Sequence, residues 1–224
     1  MSPHSAARLK KGPPGARDGH LQAREQRNDK RARILDAAVK VFAERGYFSS
    51  TVAEIARAAG VADGTIYLYF KSKDDLLFEL FDDKMTQLIA DAKTALAQEQ
   101  DAPARLKRFI RLHFSLVEKN PDLASVLVVE LRQSAQLLKA ADRQKLGAAY
   151  LELIGQVVRE GQERGELDAS VSPGTAKRAI FGALDELALG WLLSGRRASL
   201  KKTGQEVAEW LVRGLLPQHA GGKS

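Results

Sequence analysis

Residues 51–73 read TVAEIARAAGVADGTIYLYFKSK, and this stretch decides the fold. Thr51-Val52-Ala53-Glu54 has the form of a capping box, in which Thr51 accepts from the Glu54 amide and Glu54 reaches back, so a helix starts at Val52. Ile55, Ala56 and Ala59 fall on its inner face, and Gly60 can end it. After the tight joint Gly60-Val61-Ala62, Asp63 can cap a second short helix that the pattern carries to about Phe70. Two short helices about a three-residue joint are the layout of a helix-turn-helix, whose second helix enters the major groove. At about 100° per residue, Ile66 and Phe70 point inward while Gly64, Thr65, Tyr67 and Leu68 point outward. An outward leucine suits thymine methyls, the two hydroxyls suit base edges, and a glycine lets the backbone approach DNA. Asp63 heads the same surface, Tyr69, Lys71 and Lys73 stand where phosphates would pass, and Thr51 with the amides after it could hold the phosphate across the groove.

Outward from this core the chain keeps helical punctuation and shows no strand alternation. Ile34, Leu35, Ala38, Val41 and Phe42 predict a helix over 29–45, with Gly46 as its stop. Ser72 through Asp75 opens another, and Leu77, Leu80, Phe81, Met85, Leu88 and Ile89 carry it into the high nineties. Pro103 and Pro121 mark first turns of helices over about 104–118 and 121–136. A long helix from about 141 ends at Gly165, Ser172-Pro173 starts the next, and Thr203-Gly204-Gln205-Glu206 reads as a capping box for the last. The expected architecture is all-α with about nine helices.

The 224 residues suffice for a small domain plus a larger one, and 44% are apolar, enough for a packed core. There is no cysteine, hence neither disulfide nor thiolate metal site, and no apolar run long enough to span a membrane or serve as a signal peptide, so a cytoplasmic location is expected. The charge is uneven. Residues 1–33 hold nine Lys or Arg and three Asp or Glu, whereas the remainder is nearly neutral. Such an arm attracts a polyanion such as DNA or is simply solvated, and its glycines and prolines favour disorder up to about residue 27. The expected organisation is a disordered basic extension over 1–27, a DNA-binding domain over 28–73, a ligand-binding and dimerisation domain over 74–216, and a disordered tail over 217–224.

Residues 29–77 resemble the TetR family of bacterial repressors. The matching positions are Ile34-Leu35-Asp36-Ala37-Ala38, Phe42, Gly46-Tyr47, Thr51, Ile55-Ala56, Ala59-Gly60-Val61, Thr65-Ile66-Tyr67, Tyr69-Phe70-Lys71-Ser72-Lys73 and Leu76-Leu77. The resemblance implies three DNA-binding helices and a larger helical effector domain. It also implies a homodimer on a palindromic operator, with the last two helices, here about 174–194 and 203–216, pairing across the two-fold axis. Residues 61–85, His113-Phe114-Ser115-Leu116, Glu130-Leu131-Arg132-Gln133-Ser134, Gly161, Gly165-Glu166, residues 180–186 and Trp191 are further similar to the subgroup that regulates fatty-acid degradation. That likeness implies a small-molecule effector, long-chain acyl-coenzyme A, that releases the protein from DNA, and no cofactor.

The residues of the body fit an acyl tunnel or an ordinary core. Phe81, Met85, Leu88, Phe109, Phe114, Leu127, Leu131, Phe181, Leu184 and Trp191 are apolar candidates for the tunnel wall. Arg105, Arg108 and Arg111 recur every third residue and could meet coenzyme A phosphates or line a solvated face. Arg132 lies between apolar positions and could pair with Glu130 or Asp185, and His113 reads as a core histidine or a tunnel residue. Asp185 could serve the dimer interface or face a cationic ligand. A competing reading therefore keeps the regulator but makes it the repressor of an efflux or detoxification operon released by a hydrophobic drug, cationic or not, with Glu130, Asp185 and aromatics as the pocket. Nothing in the sequence supports an enzyme, which would need a nucleophile, a paired base or a phosphate-binding loop.

Overall fold

The computed structural model describes residues 15–130 and 141–217. Among them the chain forms nine helices and no strand: α1 (Gly15–Arg45), α2 (Val52–Ala59), α3 (Asp63–Ile66), α4 (Lys73–Leu96), α5 (Ala102–Lys119), α6 (Pro121–Ser125, continued by a π-helical turn over Val126–Glu130), α7 (Ala141–Glu163), α8 (Pro173–Leu193) and α9 (Leu200–Arg213).

The caps at the helix starts follow the local chemistry. Thr51 forms the full reciprocal box with Glu54, and Gly60 closes α2 in the left-handed region at φ 66°, where a Cβ would be strained. Ser72 accepts from the Asp75 amide at 3.0 Å. The Asp75 carboxylate turns to the Lys71 amide at 2.7 Å rather than back to Ser72, so it satisfies a donor outside the helix. Asp101 and Ser172 accept from the amides three residues on, each ahead of a first-turn proline.

Three boundaries depart from the sequence pattern. The first helix begins at Gly15, so residues 15–27 are helical rather than disordered. Once the apolar positions from Ile34 onward nucleate the helix, each added residue costs little, and Leu21 through Arg27 are mostly good helix formers. The third helix is only one turn long, although the bonds Leu68 N to Thr65 O, Tyr69 N to Ile66 O and Phe70 N to Ile66 O keep the chain coiled as far as Phe70. The last helix starts at Leu200 with Ser199 as its cap. Thr203 lies within it and donates back to the Ser199 carbonyl, so the Thr203–Glu206 motif is interior and caps nothing. Residues 131–136 of the expected helix, with Leu131 and Arg132, and residues 1–14 and 218–224, lie outside the described residues.

One continuous apolar core runs through both parts of the molecule. Ile34, Leu35, Phe42, Ile55, Ile66, Phe70, Leu76 and Leu77 are fully buried where α1, α2, α3 and the head of α4 meet. Helix α4 continues into the body, held on α1 by Arg31 to Glu79 (2.6 Å) and Lys84 to Asp36 (3.0 Å). In the body α5 and α9 pack closely, because Gly204 lets the α9 backbone rest on the Phe114 ring. The Glu209 carboxylate on α9 holds both Lys107 and Arg111 of α5 across that contact.

Candidate nucleic-acid interface and effector cavity

The outer surface of α3 is open. Tyr67 and Leu68 are 58% and 73% exposed, Asp63 and Gly64 are exposed, and Thr65 is half-buried. A Cβ built on Gly64 would meet nothing within 4 Å, so the fold itself does not require glycine there. Lys71 is exposed at the flank. Thr51 also stands at the surface, but its hydroxyl both donates to and accepts from Glu54 within the cap.

Lys73 has a different task from phosphate contact. Its ammonium donates to the carbonyls of Tyr47 (2.8 Å), Ser50 (2.8 Å) and Phe48 (3.3 Å) and sits 4.6 Å from the Tyr47 ring centre. All three of its protons are thus used to hold the loop between α1 and α2. Tyr69 is half-buried, tilted against Phe70, with the Arg27 guanidinium 5.8 Å over its ring. A surface groove lined by Gln26, Arg27, Lys30, Leu68 and Tyr69 therefore joins the early part of α1 to the outer face of α3. The sequence pattern left Phe48 unmarked. It is a large apolar side chain exposed on the α1–α2 loop, and no periodicity extends to it.

The body holds an apolar cavity of about 250 Å³. Phe81, Met85 and Leu88 of α4, His113 of α5, Leu127 of the π turn, and Phe181 and Asp185 of α8 line it, as the sequence suggested. The sequence reading missed Leu116 and Val117 on α5, Asn120 between α5 and α6, Leu123, Ala124 and Val128 around α6, and Gly147, Tyr150 and Leu151 on α7. Tyr150 could have been found, since it lies in phase with Leu153, Ile154 and Val157 on the buried face of α7. Four other apolar candidates are core instead. Phe114 and Leu184 are fully buried away from the cavity, Phe109 packs on the Tyr150 ring at 5.0 Å, and Trp191 donates its indole N–H to the Ala198 carbonyl.

The arginine row does not converge on the cavity. Arg105 pairs with Glu160 of α7, Arg111 with Glu209 of α9, and Arg108 is exposed. A spacing of three drifts by 60° per step on a helix, so over two steps the row spreads to different neighbours. Glu130 does not line the cavity either. It accepts from the Tyr47 amide at 2.8 Å.

The polar side chains of the cavity wall are His113, Asn120, Tyr150 and Asp185. His113 Nδ1 lies 3.3 Å from the Tyr150 hydroxyl, and both rings stand close to Phe181. Burial holds the imidazole neutral, with its pKa lowered to about 4, and pushes the Tyr150 phenol up from its ordinary value. Among the described residues His113 Nε2 has no hydrogen-bond partner. The wall suits an apolar ligand or the apolar part of one.

Two family profiles match adjoining parts of the chain. Residues 34–80 match the bacterial regulatory proteins of the tetR family, and residues 81–214 match the C-terminal region of YsiA-like proteins. The chain belongs to the TetR family. It is 39% identical over 194 residues to the fatty acid metabolism regulator protein of Bacillus subtilis, covering 85% of this chain and 98% of that one. Among solved structures it is similar to the transcriptional regulator FadR from B. subtilis in complex with stearoyl-CoA, with TM-score 0.77 and 38% identity over 82% of this chain and 98% of that one. It is likewise similar to the fatty acid degradation regulator FadR from Bacillus halodurans, with TM-score 0.76 and 36% identity over the same shares. The chain is thus a DNA-binding transcriptional regulator with an N-terminal helix-turn-helix and a larger helical body. Among the described residues no helix is long and apolar enough to cross a membrane.

Proposed function

We propose that this protein is a repressor of fatty-acid degradation genes that leaves its operator when long-chain acyl-coenzyme A enters the body. The observation that carries the reading is the apolar cavity bounded by α4, α5, α6, α7 and α8, in a chain so similar to a regulator solved with stearoyl-CoA. Nearly all of its wall is hydrocarbon or aromatic, which suits an acyl chain. A second reading, a lipophilic cation as effector, draws on Asp185 in the wall beside the aromatic rings of Phe81, Tyr150 and Phe181. Against it, Glu130 faces the DNA-binding unit and does not line the cavity. A gel shift separates the two. Stearoyl-CoA should release the operator at concentrations where coenzyme A alone, stearate and a lipophilic cation do not. Release by the cation alone overturns the acyl-coenzyme A reading.

On the DNA side, Gly64, Thr65, Tyr67 and Leu68 read base edges, with Asp63, Thr51, Tyr69 and Lys71 at the margin. Arg27 and Lys30 of α1 extend this surface along the flanking phosphates, because they line the groove beside Leu68. The protein acts as a homodimer on a palindrome, since two reading helices related by a two-fold axis match two half-sites. The exposed apolar residues of α8 and α9 supply the interface.

A further inference from the structure

Glu130 closes the π-helical turn Val126–Glu130, and its carboxylate leaves that helix. Oε2 accepts from the Tyr47 amide at 2.8 Å, and both carboxylate oxygens lie within 3.9 Å of where a side chain on Gly46 would begin. Gly46 adopts φ +79°, so it is the turn that ends α1.

Tyr47 is the knot of the DNA-binding unit. It is buried, its ring packs on Phe42 of α1, and its hydroxyl donates to Asp74 at the head of α4. Its carbonyl receives both Lys73 Nζ and the Ser50 hydroxyl at 2.8 Å, one residue before the Thr51 cap of α2. The position of the helix-turn-helix relative to α1 and α4 is therefore fixed at this residue. Glu130 is the group that reaches its amide from the body.

The same turn carries part of the cavity wall. Leu127 and Val128 line the cavity, three and two residues before Glu130. A π turn has one residue more than an α-helical turn needs and can relax to the commoner form, which rotates everything that follows. One short segment thus has the ligand space on one side and the operator-reading unit on the other.

The structure assigns Glu130 as the positioning residue that seats the helix-turn-helix, and through which filling of the cavity is transmitted to the operator. The second part of this assignment rests on the effector reading above. An acyl chain pressed on Leu127 and Val128 shifts the π turn and withdraws the carboxylate. The Tyr47 amide then loses its acceptor, and the loop before α2 loses its seat.

The test uses the full chain carrying Glu130→Ala or Glu130→Gln. Operator affinity is measured with and without stearoyl-CoA, and stearoyl-CoA affinity is measured without DNA. Without ligand, Glu130→Ala should bind operator roughly fivefold or more weakly, within the usual range of coupling between sites. The ratio of operator affinities with and without stearoyl-CoA should fall towards one, while stearoyl-CoA affinity stays within about twofold. Glu130→Gln keeps an acceptor oxygen and should keep most of the ratio. A ligand-free operator affinity of Glu130→Ala equal to wild type overturns the seat, whatever the effector proves to be. An undiminished ratio in Glu130→Ala overturns the transmission. Failure of stearoyl-CoA to bind the wild type overturns transmission by that ligand and the effector reading together, and the ligand-free comparison still judges the seat. Should Glu130→Ala fail to fold, hydrogen exchange on the wild type serves instead. Stearoyl-CoA should speed exchange of the Tyr47 amide, and unchanged exchange with bound ligand overturns the transmission.

Discussion

Gly64 separates stability from function at a single atom. It lies in a helix with open space where a Cβ would stand, so Gly64→Ala should stabilise the fold by about 0.5–1 kcal/mol through backbone entropy. The same methyl would intrude on the proposed contact with DNA and weaken operator binding. Thermal melts and gel shifts of this variant should move in opposite directions, and a variant that is both more stable and as tight on DNA would remove Gly64 from the interface. His113 sets a second expectation. Its folded-state pKa is about 4, against 6.5 for the free side chain. Between those values the unfolded chain binds more proton, so stability is full above pH 6.5 and falls as pH drops, by up to about 3 kcal/mol at pH 4. Denaturation of His113→Phe should show a smaller loss over this window, and equal losses would place the acid sensitivity elsewhere. Which side of α3 faces outward was legible, because Ile66 and Phe70 mark the inward side and Tyr67 and Leu68 the exposed one. The roles of Lys73 and the arginines were not. Spacing gives the side of a helix a cation occupies but not the carbonyl or carboxylate that awaits it there.

Most elements could be read from caps and stops, because Ser, Thr and Asp at helix starts act locally and do not depend on tertiary packing. The exceptions are instructive. Thr203 and Glu206 mimic a cap inside α9, and only the packing of Leu200 in the core makes Ser199 the start. Residues 15–27 look breakable by composition yet ride on a nucleated helix. That extension has a measurable consequence. Replacing Arg27 and Lys30 together by alanine should lower the slope of log affinity against log salt by about two and weaken binding to all DNA sequences alike. An unchanged slope would leave the groove beside Leu68 solvated. Helix α8 presents a second unpartnered face. Ala179, Gly182, Leu187, Gly190 and Leu193 are exposed along it, a Cβ on either glycine meets nothing, and Trp210 on α9 is 70% exposed. Trp191 on the same helix is buried. Leu193, 72% exposed, is therefore the probe of choice, since Leu211 also packs on the core. Leu193→Glu should give a folded monomer by light scattering, and a dimer of unchanged mass would place the interface on another surface.

At the scale of the molecule, two features join the cavity to the reading helix. Helix α4 carries Phe81, Met85 and Leu88 into the cavity wall and Lys73 into the loop that seats α2. The π turn does the same through Leu127 and Glu130. In the proposed dimer, a ligand acting on both would change the spacing of the two half-site readers. Coupling of this kind amounts to about 1–3 kcal/mol, or roughly 5- to 150-fold in affinity, and it is reciprocal. Calorimetric titration of the protein with stearoyl-CoA, free and saturated with operator DNA, measures it directly. The stearoyl-CoA affinity should be lower on the DNA-bound protein, by the same factor by which stearoyl-CoA lowers operator affinity. Equal affinities in the two titrations would contradict the coupling, however tightly the ligand binds.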